Sequence, residues 1–171
     1  MSIPIVLRPV ATVADLDPLS RWLADPADVA QWSMGALSAP LDPARLAADL
    51  SAGGGETATR AFLGVSGDVP VGYGEVAAID PRTRRAELRR LVIDPERRGE
   101  GVGTALCAAL LDMAVATLGL SVVTAEVAVF NQAGSGCLRA AGFAVVGERA
   151  DALELGGKRW SAIRLRWSGS R

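Results

Sequence analysis

Three alternating glycines directly follow two arginines in the segment Arg97-Arg98-Gly99-Glu100-Gly101-Val102-Gly103-Thr104. If a helix begins here, its first backbone N–H groups have no intrahelical partner, and the helix dipole adds a partial positive charge at the same place. Such a helix start binds phosphate groups well. Glycine lets a phosphate approach those amides, because a Cβ would block it, and permits the backbone angles of a tight turn. The segment is therefore predicted to bind a pyrophosphate, with Arg97 and Arg98 as charged donors.

The elements on either side of the glycines suit this chemistry. A strand-like run at residues 86–93 leads through the turn sequence Asp94-Pro95-Glu96 into the segment. Behind the glycines, apolar residues recur with the i, i+3, i+4 spacing of an amphipathic helix, and Gly119 is its expected end. The apolar positions are Val102, Ala105, Leu106, Ala109, Leu110 and Met113. The order is strand, anion-binding loop, helix.

Two blocks of the sequence resemble a known family. Arg98, Gly101 and Gly103 match the acetyl-coenzyme A signature of the GCN5-related N-acetyltransferase (GNAT) superfamily, which reads Arg or Gln, two residues, Gly, one residue, then Gly or Ala. Asn131 and the later pair Gly142-Phe143 resemble a second segment of that family, at the family's usual separation. Two ordered motifs are more specific than either alone. The resemblance covers about the last ninety residues and is closest to the ribosomal-protein serine/alanine N-acetyltransferase-like subgroup.

Two other interpretations of the glycine segment stay open. A dinucleotide-binding fold also places glycines between a strand and a helix, with an acidic residue about twenty positions later, a role that Glu126 could fill. Against it, Thr104 stands where the third fingerprint glycine would be, and only 68 residues follow Gly103. The second alternative is a glycine turn that merely caps a helix.

Composition excludes several classes of protein. The chain has 171 residues, of which 50% are hydrophobic, and a formal net charge of −1. This predicts a single domain over residues 1–171, and the weak charge argues against a nucleic-acid binder. We expect a cytoplasmic protein that does not associate with membranes, because no apolar run approaches the roughly twenty residues that span a bilayer and no signal-peptide pattern is present. Without histidine, and with only Cys107 and Cys137, no metal site is expected.

Periodicity and turn residues predict an α+β fold. Strands are expected at residues 5–9, 60–66, 69–79, 86–93, 121–128, 143–148 and 159–167, and helices at residues 13–24, 43–52, 102–118 and 132–141. Gly53-Gly54-Gly55 is expected to be a flexible break. The resemblance implies that these elements form the acyl-CoA N-acyltransferase (GNAT) fold, a mixed central sheet of six to seven strands flanked by about four helices.

The resemblance also implies a site for acetyl-CoA as co-substrate. The strand at residues 86–93 would part from the strand at residues 121–128, so that pantetheine enters the gap as though it were another strand. Backbone groups of Leu91, Val92 and Ile93 would bind the pantetheine amides and the acetyl oxygen. The other residues expected to bind the coenzyme are Arg97, Arg98, Gly99, Glu100, Gly101, Val102, Gly103, Thr104 and Asn131. Asn131 is equally suited to cap a helix beginning at Gln132.

Two glutamates are candidates for the general base that deprotonates the attacking amine. Glu87 and Glu126 each resemble the position of a catalytic glutamate in one branch of the family, and Glu75 is a weaker third candidate. The family commonly places a tyrosine seven residues after the asparagine, to protonate the departing thiolate, but Leu138 stands there and Tyr73 is the sole tyrosine. Ser135 or a water is a substitute. A catalytically silent acyl-CoA sensor therefore remains an alternative.

The acceptor is expected to be a small-molecule amine or a protein N-terminus. In the resembled family the first two helices and their loop form one wall of the acceptor cleft, which makes Trp22, Asp25 and Trp32 the candidate contacts. Ring faces and a carboxylate suit an amine, although tryptophans at such positions also suit a core. A homodimer through the last strand stays open.

Overall fold

The computed structural model describes residues 3–52 and 58–169, and within them seven strands form one mixed sheet in the order β1-β2-β3-β4-β5-β7-β6. The strands are β1 (Val6–Pro9), β2 (Ala58–Ser66), β3 (Val69–Asp80), β4 (Arg85–Ile93), β5 (Val122–Ala128), β6 (Ala144–Leu155) and β7 (Lys158–Ser168). The α-helices are α1 (Asp17–Trp22), α2 (Pro26–Trp32), α3 (Pro43–Ala52), α4 (Val102–Asp112) and α5 (Gln132–Ala140). The predicted α+β class is confirmed. The expected break at Gly53-Gly54-Gly55 lies outside the described residues.

The central feature of the sheet is the parallel pair β4 and β5, since every other neighbouring pair is antiparallel. Its pairing runs only from Arg85↔Val122 to Leu88↔Ala125. Immediately beyond, β4 carries a bulge at Arg90, whose φ is +51°. A bulge bends its strand. The two strands therefore part, and the predicted gap between them is present.

Two hydrophobic cores lie on opposite faces of the sheet. Phe62 belongs to the core under α4 and α5, whereas the next residue, Leu63, belongs to the core under α1, α2 and α3. Because consecutive strand residues point to opposite faces, this alternation assigns one face to each group of helices. The cleft described below lies between the two groups.

The N-terminal helices differ from the prediction. One helix was expected at residues 13–24, but the structure has a 3-10 turn at Val13–Leu16, then α1, then α2, which was not predicted. Asp25 caps α2, since its Oδ1 accepts a hydrogen bond from Ala27 N at 2.7 Å, and Pro26 occupies the first turn. The pair Asp25-Pro26 suits a helix start as well as a stop. The described residues therefore contain five α-helices rather than about four.

The C-terminal half differs from the prediction mainly in lengths. Helix α4 continues as a π-helical segment at Met113–Thr117, and Gly119, with φ at +67°, ends it as predicted. Strands β6 and β7 are longer than expected and join through Gly156 and Gly157, both with positive φ. The extension of β6 was missed because it is a mostly exposed edge strand without apolar alternation. Among the described residues, no helix has the length and apolar character that crossing a bilayer requires.

Candidate active site

A cleft of about 560 Å³ opens where β4 and β5 part. Its walls come from the bulged half of β4, the end of β5, helix α2, the loop before α4, and the facing sides of α4 and α5. Of the residues predicted to bind coenzyme or perform catalysis, the lining includes Glu87, Leu91, Val92, Ile93, Arg97, Arg98, Gly99, Gly103, Glu126 and Asn131. Residues from separated parts of the sequence therefore meet at one cavity.

The glycine loop has the backbone conformation that its sequence predicts. Gly99 and Gly101 have φ values of +82° and +85°, and a Cβ at either would meet no atom within 4 Å, so the backbone angles and not crowding favour glycine there. Gly101 is the N-cap of α4, and Ala105 N donates to Gly101 O at 3.1 Å. The amides of the first turn before Ala105 therefore have no intrahelical acceptor. This is the geometry of an anion site at a helix start.

The charged residues of the loop differ in their pairing. Arg97 Nε lies 2.7 Å from Glu100 Oε2, so Glu100 offsets much of the Arg97 charge. Arg98 is exposed and lines the cleft. Glu100, Gly101, Val102 and Thr104 do not line it, and Val102 is a buried residue of the α4 core face. Arg98 is thus the loop's better candidate for contacting phosphate.

Gly103 has a packing role that spacing alone did not reveal. A Cβ on Gly103 would lie 2.7 Å from Cys137 Sγ, which is closer than non-bonded carbon and sulfur atoms approach. Because glycine has no Cβ, α5 can lie against the first turn of α4. Asn131, at the start of α5, accepts a hydrogen bond from Gly134 N at 2.9 Å and also lines the cleft. It therefore caps the helix while facing the place expected for the coenzyme.

We expect Gly103→Ala to destabilise the protein by about 1–3 kcal/mol, the usual penalty for overpacking, and to weaken acetyl-CoA binding because the first turn of α4 must shift. Urea denaturation and calorimetry measure the two effects. Gly136→Ala is the matched control, since a Cβ there meets nothing within 4 Å. Adding Cys137→Ala to Gly103→Ala should restore most of the stability, and a double variant as unstable as the single one would contradict this explanation.

The backbone of Leu91, Val92 and Ile93 is available along the cleft. On one side β4 pairs with β3, at Gly72↔Ile93 and Tyr73↔Val92. On the other side its pairing with β5 has already ended at Leu88. The cleft-facing edge of β4 can therefore accept a further extended segment, which is how an added strand binds.

Glu87 and Glu126 both line the cleft but have different surroundings. Burial raises the pKa of Glu87, and the nearby Glu126 raises it further, while Arg89 lowers it. Glu126 is held by ion pairs, with Arg149 Nη2 at 2.8 Å and Arg164 Nε at 3.4 Å. Accepting a proton would disrupt those ion pairs of Glu126, so Glu87 is the better candidate for a base in this cleft.

The bulge of β4 is tied to a buried carboxylate. Glu75 on β3 is fully buried and accepts a hydrogen bond from Tyr73 Oη at 2.7 Å. It also pairs with Arg89 Nε at 3.2 Å and Arg90 Nη1 at 3.3 Å. Burial raises the pKa of Tyr73, so the phenol stays protonated and donates. Glu75, the weaker third candidate for the base, lies outside the cleft lining, and so does Tyr73.

Sequence reasoning did not single out Arg89, Arg90 or Arg149, which also line the cleft. The sequence signal for them was weak. It consisted of two adjacent arginines in a mostly apolar strand, with a glutamate in the neighbouring strand. Regular alternation in a strand would have placed Arg89 and Arg90 on opposite faces of the sheet, so the two were not expected to meet.

The three acceptor candidates from the N-terminal helices are separated by the fold. Trp32 lines the cleft, and its Nε1 donates to Arg90 O at 2.7 Å. Trp22 is buried in the core under α1–α3, and Asp25 is the exposed cap of α2. Neither Trp22 nor Asp25 lines the cleft. The lining there instead contains Asp28 and Gln31 of α2 and Ser33, the C-cap residue that follows it.

Neither Leu138 nor Ser135 offers the cleft a proton donor in place of the tyrosine that the family resemblance led us to expect at position 138. Leu138 is buried at 1% exposure and reaches the cleft, while Ser135 Oγ donates to Gln132 O at 3.2 Å and is not in the lining. Cys107 and Cys137 lie in α4 and α5 beside the cleft, and burial raises the pKa of Cys107 to about 12. Within residues 3–52 and 58–169, no group of three or more metal-ligating side chains is found.

A family model described as an acetyltransferase (GNAT) domain matches residues 5–144. A solved spermidine N-acetyltransferase from Vibrio cholerae, in complex with CoA and spermine, superposes with a TM-score of 0.82 at 21% identity, covering 96% of this chain and 95% of that one. A spermidine/spermine N-acetyltransferase from the same organism, with manganese ions, gives 0.74 at 20% identity over 96% and 92%. At these identities the likeness concerns the fold.

A curated relative matches a shorter stretch. Mycothiol acetyltransferase from Rhodococcus erythropolis is 38% identical over 58 residues, which are 34% of this chain and 19% of that protein. The chain thus matches less than a fifth of that relative's length.

Proposed function

This chain belongs to the acetyltransferase (GNAT) domain family, and from that premise we propose that it transfers acetyl from acetyl-CoA to a primary amine by direct attack in a ternary complex. The observation that carries this proposal is one cleft that joins the uncapped amides before α4, the free edge of β4 and the carboxylate of Glu87. Those groups suit, in turn, a diphosphate, a pantetheine chain and an amine.

The coenzyme fits the donor groups of the cleft. The loop supplies backbone N–H groups and Arg98 for the phosphates, with Asn131 nearby. Leu91, Val92 and Ile93 supply main-chain donors and acceptors for the pantetheine amides, and a main-chain N–H among them would stabilise negative charge on the acetyl oxygen. When bound, acetyl-CoA supplies an activated acyl group.

The protein's chemical contribution is to provide a base near the amine. At pH 7, deprotonation costs about 1 kcal/mol for an α-amino group and about 4–5 kcal/mol for a lysine-like amine. Glu87 accepts one proton of the ammonium, the neutral nitrogen forms a bond to the carbonyl carbon, and the carbon–sulfur bond breaks with its electron pair on sulfur. The second proton of the nitrogen then passes to the departing thiolate, which leaves the amide and the coenzyme thiol. A thiol with a pKa near 8.5 leaves as thiolate for about 2 kcal/mol, so the reaction proceeds without a tyrosine at Leu138.

Three measurements on the purified chain test the proposal. Calorimetry should detect acetyl-CoA binding, and a thiol-release assay over amines, amino acids and peptides should show CoA release that depends on both substrates. Thermal stabilisation by acetyl-CoA and not by NAD distinguishes this function from the dinucleotide alternative. Failure to bind acetyl-CoA would overturn the proposal. Tight binding without release for any acceptor would indicate a sensor.

A further inference from the structure

Two adjacent arginines line the part of the cleft formed by Glu87, Trp32 and Asp28, which we call the acceptor side. They have no role in the transfer chemistry above. Arg89 and Arg90 line the cleft beside Glu87 and Trp32. In a regular strand their side chains would diverge, but the bulge at Arg90 lets both guanidinium groups reach the carboxylate of Glu75. The bulge thus concentrates positive charge at one place.

Direct ion pairing compensates only one of these two positive charges. Glu75 offers one negative charge to two guanidinium groups, at 3.2 Å from Arg89 Nε and 3.3 Å from Arg90 Nη1. The further bond found for Arg89 goes to Thr59 Oγ1 at 3.4 Å, a neutral acceptor. A guanidinium has five N–H donors. Among the described residues, the Nε and Nη2 atoms of Arg90 have no hydrogen-bond acceptor.

Arg90 is also held in place before any ligand arrives. Its side chain is 15% exposed, and its guanidinium carbon lies 5.9 Å from the centre of the Trp32 ring. The Trp32 indole donates to the Arg90 carbonyl, which fixes the ring against the same residue. Donors fixed in advance bind with a smaller entropy loss than mobile ones. A planar guanidinium in that state suits a carboxylate.

Acidic side chains line the same part of the cleft. Glu87 on β4 and Asp28 on α2 line the cleft, and either can attract an amine. Arg149, also in the lining, is paired with Glu126. The acceptor side therefore offers carboxylates for a cation and an incompletely neutralised arginine pair for an anion. A polycation, by contrast, would be placed against Arg89 and Arg90.

We propose that the acceptor is an amine that also carries a carboxylate, an amino-acid-like molecule, and that Arg90 together with Arg89 binds the carboxylate while Glu87 receives the proton of the amine. The inference rests on the proposed acetyl transfer and names its substrate class. The amine binds beside Glu87 while the carboxylate binds Arg90 and Arg89 in the same cleft. Selectivity follows because only an acceptor with both groups makes both contacts.

Matched acceptor pairs test the proposal. Thiol release is measured for phenylalanine against phenethylamine and for methionine against its decarboxylated amine, with spermidine as the polycation. We expect kcat/KM at least about tenfold higher for the carboxylate member of each pair, because a bidentate charged contact typically contributes that much. Equal use of both members, or a preference for spermidine, would overturn the inference while leaving acetyl transfer intact.

Variants assign the selectivity to the arginines. Arg90→Gln should bring the kcat/KM ratio of each pair close to one, and Arg90→Lys, which keeps a charge beside Glu75, should retain part of it. Arg166→Gln is the control, since Arg166 is an exposed β7 arginine outside the cleft lining. A ratio unchanged in Arg90→Gln and in Arg89→Gln would overturn the assignment.

A binding measurement separates failure of this inference from failure of the catalytic proposal. With CoA present, N-acetylphenylalanine should raise the Tm of the wild-type protein more than N-acetylphenethylamine does, and Arg90→Gln should remove the difference. If no acceptor releases thiol but this difference is observed, the carboxylate site stands and the transfer proposal fails. If the two compounds stabilise the protein equally, the carboxylate site is refuted.

Discussion

Replacing Glu87 by glutamine is expected to lower kcat by about 10²–10⁴-fold, the usual contribution of a positioned general base. Glutamine keeps the size of the side chain but cannot take the proton of the amine. Affinity for acetyl-CoA should change little, because the loop before α4 and the edge of β4 remain intact. Steady-state kinetics combined with calorimetry distinguish a loss of turnover from a loss of coenzyme binding.

The raised pKa of Glu87 sets the direction in which kcat should change with pH. Burial raises its pKa above the usual 4.5, with Glu126 adding to the shift and Arg89 opposing it. A base works in its deprotonated form, so wild-type kcat should fall as pH is lowered through this raised pKa. Glu87→Gln should lack that acidic limb and keep only the dependence due to the amine itself. The comparison is made with one acceptor and saturating acetyl-CoA.

Two other carboxylates serve as comparisons for Glu87. Glu148 is exposed on β6 and outside the cleft lining, so Glu148→Gln should leave kcat unchanged. Glu126→Gln should have a smaller effect than Glu87→Gln, because Glu126 is already engaged by Arg149 and Arg164. A profile unchanged in Glu87→Gln together with a large loss in Glu126→Gln would transfer the role of base to Glu126.

The second large effect is expected for stability, from Glu75→Ala. Glu75 is fully buried and pairs with Arg90, whose side chain is only 15% exposed. Removing one partner of a buried pair leaves a charge without compensation and typically costs about 3–5 kcal/mol. For a chain of this size that corresponds to a fall in Tm of about ten degrees. Urea denaturation monitored by circular dichroism measures the free energy of unfolding directly.

Graded variants show whether the network around Glu75 is responsible. Tyr73→Phe removes only the 2.7 Å hydrogen bond to the carboxylate and should cost about 1.5–3 kcal/mol. Arg159→Ala breaks the pair with Asp151, whose 3.9 Å separation and exposures of 69% and 65% predict no measurable loss. If Glu75→Ala were as stable as Arg159→Ala, the buried network would not hold the bulge.

Local features of the sequence predicted a large part of this molecule. Strand β4, the loop and helix α4 were readable because each signal lies within a few residues: apolar periodicity, glycines that adopt φ values of +82° and +85°, and a stop at Gly119. The missed helix α2 shows the limit of such signals. Asp25-Pro26 was interpreted as an end, whereas the carboxylate caps a new helix.

The amino-acid sequence alone was sufficient for the α+β class and for the order of strand, glycine loop and helix, since these depend on short-range pattern. Glu87 and Glu126 became candidate bases through the resemblance of their positions to those of the family. The tertiary structure decided how the two glutamates differ, because burial and the ion pairs with Arg149 and Arg164 arise between strands that are distant in sequence. It also decided which charged side chains meet beside Glu87. A single bulge at Arg90 brings two arginines to one buried carboxylate, and electrostatic interactions depend on distance in space, which residue spacing along the chain does not specify.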